Sequence, residues 1–451
     1  MRIDWPPPPW LGIAIVAVSL VVMLVGLRAV RARFDWHAEV MRKLSHIGMG
    51  LASLSFAWLF TEPWPVLILG GMAFATLAAL RWIPWVRSQV GVVVHGVNRA
   101  SGGDLYFPIA STGLFLLADG DRILYAIPIL TLTLADAVAA LIGIQYGRMK
   151  YESADGLPKS IEGSIAFFLV AFLASHIPLL LFTNTGRTES LLIGLMFGML
   201  LMLLEAISWR GLDNILVPLG GFVLLRAFLT LQAPALFARL VVTTLLLALV
   251  LGLRRKKSLD DPAMLVGVLV GYVSWSAGGW TWLVPPLVLF VIYNVIFPKN
   301  IARREHPHDI VAVFTVTSTG LIWLALSRAF GRADLYYPYT LNFAATLVFI
   351  GITWYGDYRR SASAAEVVAA TALVSWITFL LPYLTLVSVS PSSLQAAAVA
   401  LPLLLLGAVL HRIFVPHVKH RPAAEHPWMR QAMLSMSVST LGVVAGWALA
   451  W

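Results

Sequence analysis

The sequence predicts an all-α protein, a polytopic transmembrane helical bundle of about sixteen spans. Three observations predict it. Hydrophobic residues make up 59% of the 451 positions and charged residues only 12%, about half the ~25% of a soluble domain. Uncharged apolar runs of ~20 residues, long enough to cross a bilayer, recur from end to end. The runs are solidly apolar, without the alternation of a membrane β-barrel strand. An ordinary soluble enzyme, a disordered chain and a fibre are excluded. The absence of Cys removes disulfides, thiolate metal sites and Cys nucleophiles. The net charge of +10 fits cytoplasmic loops lying against anionic lipid, not nucleic acid.

The spans fall at about 10–29, 44–60, 65–81, 104–118, 122–145, 161–182, 189–208, 213–231 and 235–253, then at about 263–278, 280–297, 310–329, 339–356, 364–384, 393–412 and 431–450. The first is not a cleavable signal: it opens on Trp5-Pro-Pro-Pro-Pro-Trp10, lacks a basic leader and is followed by Arg28, Arg31 and Arg33. Basic residues crowd every second connection. They run from Arg28 to Lys43, then Arg81, Arg87 and Arg99, then Arg148, Lys150 and Lys159, then Arg210. The series continues with Arg254 to Lys257, then Lys299, Arg303 and Arg304, then Arg359 and Arg360, then Arg412 to Arg430. The positive-inside rule places these loops in the cytoplasm and both termini outside. The charged run 254–261 divides a first transmembrane domain, 1–253, from a second, 262–451. No internal repeat stands out.

Four constellations carry polar groups where they cost energy, since a charge near the bilayer centre costs ~2.5–3.5 kcal/mol. In the first, Asp136 lies well inside a helix. Ala140, Gly143 and Gly147 follow on its face, a small-residue stripe that admits a partner backbone or a ligand. The helix leaves into a loop bearing Lys159, Ser160, Glu162, Gly163 and Ser164, where the next helix starts with free N–H groups. Amides at a helix start and a Lys hold phosphates, and carboxylates hold Mg²⁺. Alternatively Ser160 and Glu162 simply cap the helix and Asp136 pairs with a neighbour.

In the second constellation Glu39, Arg42, Lys43 and His46 share one helical face. The stripe either binds phosphate and tunes a proton transfer or is a salt-bridged flank of the membrane. In the third, Glu205 ends one span and Asp213-Asn214 opens the next, suited to metal or sugar contacts or to capping by Asp213. The fourth is a Gly turn, Arg99-Ala-Ser-Gly-Gly-Asp104, entering a span. All four fall on the cytoplasmic side, where triphosphates are available.

These residues, in this order and spacing, resemble the phytol kinase and dolichol kinase family, membrane enzymes that phosphorylate polyprenyl-type alcohols with CTP or a related nucleotide. The resemblance rests on Glu39-x-x-Arg42-Lys43-x-x-His46, Arg99-x-Ser-Gly-Gly-Asp104-x-Tyr-Phe-Pro108, Asp136-Ala-x-Ala-x-x-x-Gly143-x-x-x-Gly147, Lys159-Ser160-x-Glu162-Gly163-Ser164, and Glu205 with Asp213-Asn214-x-x-x-Pro218. It covers about residues 35–225. The Asp, Gly and Lys-x-x-Glu-Gly pattern is also similar to that of phosphatidate cytidylyltransferases, but the Gly-His-Gly-Gly cluster expected near their C-terminus is missing. Residues 262–451 are faintly similar to the integral membrane family that includes phytyl-phosphate kinase. The acidic motif expected there is poor, with Asp309, Asp334 and Asp357 scattered, which favours a structural or lipid-handling role.

The resemblance implies CTP-dependent phosphorylation of phytol or a polyprenol, with CTP or another nucleotide as co-substrate and Mg²⁺ as cofactor. Asp136 and Glu162 are the expected metal contacts. Lys159 and the backbone of Ser160 to Ser164 would grip phosphates. Arg42, Lys43 and His46 would stabilise transferring charge or orient the alcohol, and Asp213 or Glu205 would act as base. Gly143, Gly147, Gly163, Asp104 and Asn214 would complete the nucleotide site. A CDP-lipid-forming cytidylyltransferase, a lipid transporter and a non-catalytic lipid-binding scaffold are the alternatives. Membrane lipids are partners, nucleic acid is not, and a homo-oligomer is compatible with the pattern.

Overall fold

A computed structural model describes residues 6–34, 38–83, 102–156, 158–254, 259–295, 310–358, 363–415 and 427–449. Arg87, Arg99, Ser101, Arg255 to Lys257, Lys299, Arg303, Arg304, Asp309, Arg359 and Arg360, all used in reading the sequence, lie outside them. The chain forms two compact units, Met1–Val241 and Val242–Trp451. Their boundary falls inside a helix, upstream of the charged run at 254–261.

The first unit runs α1 (Pro9–Arg33), α2 (Ala38–Leu54), α3 (Phe56–Leu59), α4 (Pro63–Trp82), α5 (Gly103–Ala118), α6 (Arg122–Tyr146), α7 (Ile161–Phe182), α8 (Arg187–Ile207) and α9 (Asp213–Phe228). Helix α10 (Ala233–Leu253) straddles the boundary. The second unit continues with α11 (Asp261–Gly278), α12 (Trp280–Val295), α13 (Ile310–Phe330), α14 (Tyr336–Tyr358), α15 (Ala364–Val387), α16 (Pro391–Phe414) and α17 (Pro427–Ala448).

Every apolar run read from the sequence is helical over most of its length. Among the described residues, ten helices are long and apolar enough to cross a membrane, and α5 and α12 are shorter apolar helices. The protein is an all-α, multi-pass membrane protein.

Two details differ from the sequence expectation. The run 44–60 is not one helix: it stops at Leu54, turns at Ser55 and restarts as the four-residue α3. The connection between α6 and α7 is not an open loop. Lys150–Tyr151 (β1) and Lys159–Ser160 (β2) pair antiparallel, Lys150 opposite Ser160 and Tyr151 opposite Lys159. Asp155-Gly156 in the turn is the local signal, with Gly156 at φ +72°, where the missing side chain removes the usual penalty.

Capping sets the helix starts. Asp121 accepts from Ile123 and Leu124 N–H at 2.9 and 3.0 Å, opening α6. Ser160 accepts from Gly163 N–H at 3.1 Å, opening α7. Helix α2 runs antiparallel along α6: Tyr125 donates its hydroxyl to the Ser53 carbonyl at 2.8 Å, and His46 meets the Leu132 carbonyl at 3.3 Å. An apolar core of Val16, Phe56, Phe60, Val66, Leu114, Tyr125, Ile129 and Phe222 fills one end of this unit. The polar residues of the four constellations lie at the other end of the same helices. In the second unit α14 is the buried axis, with α13, α15, α16 and α17 packed around it.

Candidate active site

Asp136 sits on α6 ten residues before its last residue, Tyr146, or about 15 Å along the axis. It is buried, and so are the two groups that meet it. Lys43 Nζ donates to Asp136 Oδ2 at 2.6 Å, with the lysine side chain only 3% exposed. His46 Nε2 lies 3.5 Å from the same oxygen. Phe107 of α5 packs edge-on against the His46 ring, centroids 5.3 Å apart. The i, i+3 spacing on α2 explains why one carboxylate receives both groups. Arg42, on the same face, pairs instead with Glu39 through two bonds of 3.1 and 2.5 Å. That part of the stripe is salt-bridged within α2. Arg42 still lies within electrostatic reach of Asp136 and Asp104.

A second acid–base pair forms where β2 meets the end of α8. Lys159 Nζ donates to Glu205 Oε1 at 2.7 Å and to the Glu205 carbonyl at 2.5 Å. Its ammonium therefore satisfies a carbonyl of the last turn of α8, at the negative end of the helix dipole. Burial opposes the Lys159 charge, but the Glu205 carboxylate outweighs it and holds the lysine pKa above its ordinary value.

Glu162, the other expected metal contact, accepts from Met149 N–H at 3.1 and 3.3 Å, tying the start of α7 to the end of the α6 connection. Two of the amides expected to grip phosphate are also bonded within the protein: Ile161 N–H to the Met149 carbonyl and Gly163 N–H to Ser160 Oγ. The Ser164 hydroxyl bonds the Ser160 carbonyl at 3.2 Å and lies 2.8 Å from the Tyr151 hydroxyl. The small-residue stripe of α6 receives the start of α7. A Cβ on Gly143 would lie 3.0 Å from Ser160 Oγ, and one on Gly163 would lie 2.9 Å from the Ala139 carbonyl. Gly147 follows the end of α6 as its C-cap, also against Ser160. These glycines bring two helix backbones together beside the site.

Asp213 stands near both pairs. It is the first residue of α9, whose N-cap is Leu212 with no side-chain cap, so it does not cap its helix. It lies within electrostatic reach of both His46 and Lys159. The neighbouring Asn214 is 8% exposed, and its Oδ1 has no hydrogen-bond partner among the described residues, leaving a buried acceptor to be filled.

The fourth constellation joins through the main chain. Gly102 N–H, just ahead of Asp104 in the first turn of α5, donates to the Arg210 carbonyl at 3.0 Å. Asp155 accepts from Arg210 N–H at 2.8 and 3.0 Å. Neither Asp155 nor Arg210 is expected at the site from the sequence, which marks Arg210 only as a basic loop residue. The Asp-Gly turn marks the first as a turn residue, and nothing in the sequence pairs it with Arg210.

All four constellations thus meet at one end of the first unit. Serine 160 packs at the level of Gly143, seven residues after Asp136, or about 10 Å along α6. Among the described residues, no group of three or more His, Asp or Glu side chains could hold a metal ion.

Fold and site together define a multi-pass membrane protein with one buried and one part-buried acid–base pair gathered beside a glycine-packed helix crossing. Over 217 residues the chain is 31% identical to the phytol kinase of Synechocystis sp. (strain ATCC 27184 / PCC 6803 / Kazusa), a match spanning 48% of this chain and 90% of that protein. Through that part of its length the chain belongs to the phytol kinase family. No family model matches the chain, and no solved structure matches it.

Proposed function

We propose that this protein transfers the terminal phosphoryl group of CTP to a long-chain isoprenoid alcohol, phytol or a polyprenol, at the cytoplasmic face of the membrane. The family supports an isoprenoid-alcohol kinase. The observation that carries the reading is the placing of Asp213 within reach of both the Lys43–Asp136–His46 group and the Lys159–Glu205 pair. Phosphoryl transfer needs charge neutralisation and in-line positioning more than covalent help. One end of a helical unit that holds two lysines, a histidine and three carboxylates supplies both.

In this mechanism Lys159 keeps its bonds to Glu205 and directs its remaining N–H at the phosphates. Lys43 and His46 meet the charge that shifts onto the leaving oxygen. Of the two candidate bases Asp213 is better placed, because Glu205 is committed to Lys159 and Asp213 is not used in capping its helix. It would accept the alcohol proton as the new P–O bond forms. Asn214 Oδ1 would accept a hydrogen bond from the nucleotide or the alcohol.

Magnesium enters with the nucleotide as part of the substrate. Such an ion keeps phosphate and water ligands and needs only one or two carboxylates, which suits a site with Asp136 at its centre better than a resident three-ligand cage. The isoprenoid tail stays among the helices and lipid, since moving it into water costs ~0.8 kcal/mol per methylene. Catalysis is assigned to residues 1–253, with 254–261 as a charged cytoplasmic linker and 262–451 in a structural or lipid-handling role.

The test is a kinase assay in sealed vesicles of known orientation, across CTP, ATP, GTP and UTP and across phytol, geranylgeraniol and longer polyprenols. The expected result is a phosphorylated alcohol made fastest from CTP supplied on the cytoplasmic side. Absence of any alcohol phosphorylation overturns the reading.

A further inference from the structure

The turn between α8 and α9 is held from both sides at a single residue. Arg210 donates its N–H to both carboxylate oxygens of Asp155, at 2.8 and 3.0 Å, and accepts at its carbonyl from Gly102 N–H at 3.0 Å. Its φ is +53°, a left-handed conformation that side chains with a Cβ resist. A strained residue persists where its surroundings over-determine it, and here the bonds on its two faces do so. Gly211 follows at φ +84°, then Leu212, then Asp213 and Asn214 at the start of α9. The path of this turn therefore sets where Asp213 stands relative to His46 and Lys159.

We propose that Asp155 is a positioning residue of the phosphoryl-transfer site. Its carboxylate clasps the Arg210 turn, and through it holds Asp213 in line with the reacting groups and the entry to α5 in place. The inference rests on the kinase reading above. An ionised acceptor on a backbone N–H makes a short, strong hydrogen bond, so the clasp holds while exposed to solvent. Asp155 is not expected to touch substrate. Its effect reaches the chemistry by displacing Asp213, and a misplacement of about 1 Å lowers turnover by about 100-fold.

The test uses the full chain in nanodiscs, with Asp155→Ala and Asp155→Asn, alone and combined with Asp213→Asn. Asp155→Ala is expected to lower kcat by about 10- to 100-fold while leaving KM for the alcohol within about twofold. Asp155→Asn keeps an acceptor oxygen and is expected to recover most of that loss. In the Asp213→Asn background the alanine substitution should change the residual rate less than about twofold, because the two residues act as one unit. Amide hydrogen exchange should rise in Asp155→Ala both at 208–214 and at 102–105.

Unchanged exchange at these two loops overturns the clasp whatever the rates. Raised exchange with effects that multiply independently in the double variant overturns the positioning role. A wild-type chain that phosphorylates no alcohol overturns the kinase reading, and the exchange experiment then decides the clasp by itself.

Discussion

The two units bury polar groups in different ways. In the first, cation meets carboxylate: Lys43 on Asp136 at 2.6 Å, buried among the helices, and Lys159 on Glu205 at 2.7 Å, part-buried where β2 meets the end of α8. In the second, the buried polar groups among the described residues are hydroxyls, amides, indoles and the His411 imidazole, which meets Gln431 Nε2 at 3.3 Å; no buried ammonium–carboxylate pair is among them. Tyr339 donates to the Trp282 carbonyl at 2.6 Å and its hydroxyl oxygen lies 3.0 Å from Ser274 Oγ, and Trp323 Nε1 donates to Ser439 Oγ at 2.9 Å. Among the described residues its ion pairs, Arg254 with Asp261 and Arg332 with Asp334, sit at helix ends and keep substantial exposure. Neutral hydrogen bonds of the second kind fasten helices to one another. Buried charge pairs of the first kind are weak stabilisers for their desolvation cost, so keeping them points to chemistry. The contrast also separates what a substitution should do in each unit.

The largest effect is expected at the Lys43–Asp136 pair. Removing one partner leaves an uncompensated buried charge, so Lys43→Met or Asp136→Leu alone should destabilise the protein by about 3–5 kcal/mol. The double variant Lys43→Met/Asp136→Leu should regain most of that stability, yet turn over at least about 100-fold more slowly than wild type. Thermal unfolding in detergent and single-turnover rates measure the two separately. A double variant that regains activity along with stability would make the pair a structural feature like those of the second unit.

A smaller effect of opposite sign is expected at Asn342 in α14. This residue is fully buried, and neither its Oδ1 nor its Nδ2 has a hydrogen-bond partner among the described residues. Replacing an unsatisfied buried amide by an apolar group of similar size removes a penalty of about 1–3 kcal/mol. Asn342→Leu should therefore raise the melting temperature and leave alcohol phosphorylation unchanged. A loss of phosphorylation would place chemistry in the second unit and break the comparison.

Much of this was legible in the sequence, for a physical reason. Once the lack of alternation excludes a barrel, a membrane requires each span to be an apolar helix, so the elements could be read from run length. Charges inside such runs stand out by their cost, which is why Asp136 and Glu205 could be named from the sequence, and Lys43 and His46 could be named from the helical face they share at the start of a run. Their pairing was not legible. Nothing in the spacing says that Lys159 would bond Glu205 rather than stand open, or that Lys43 would be the group to reach Asp136, whereas the i, i+3 spacing of Glu39 and Arg42 did allow for their salt bridge. Glycine positions were ambiguous in the same way: a small-residue stripe admits a ligand or a backbone, and at Gly143 and Gly163 the backbone of a neighbouring helix takes it. The clasp at Arg210 was invisible because it uses a main-chain N–H and C=O, which every residue but proline carries. The break at Ser55 was missed because Ser55 lies in an otherwise unbroken apolar run without a glycine or proline at the turn.

The central claim is that the charged residues gathered at one end of the first unit form a single phosphoryl-transfer site. The most direct test supplies phytol and CTP, labelled either at the α or at the γ phosphate, to the purified full-length protein and to its Asp136→Asn and Lys159→Ala variants. The account predicts that the lipid product carries the γ label alone and that both variants form it at least about 100-fold more slowly, the size expected when a group stabilising transferring charge is removed. Label from the α phosphate in the lipid, or variants that match the wild-type rate, would contradict it.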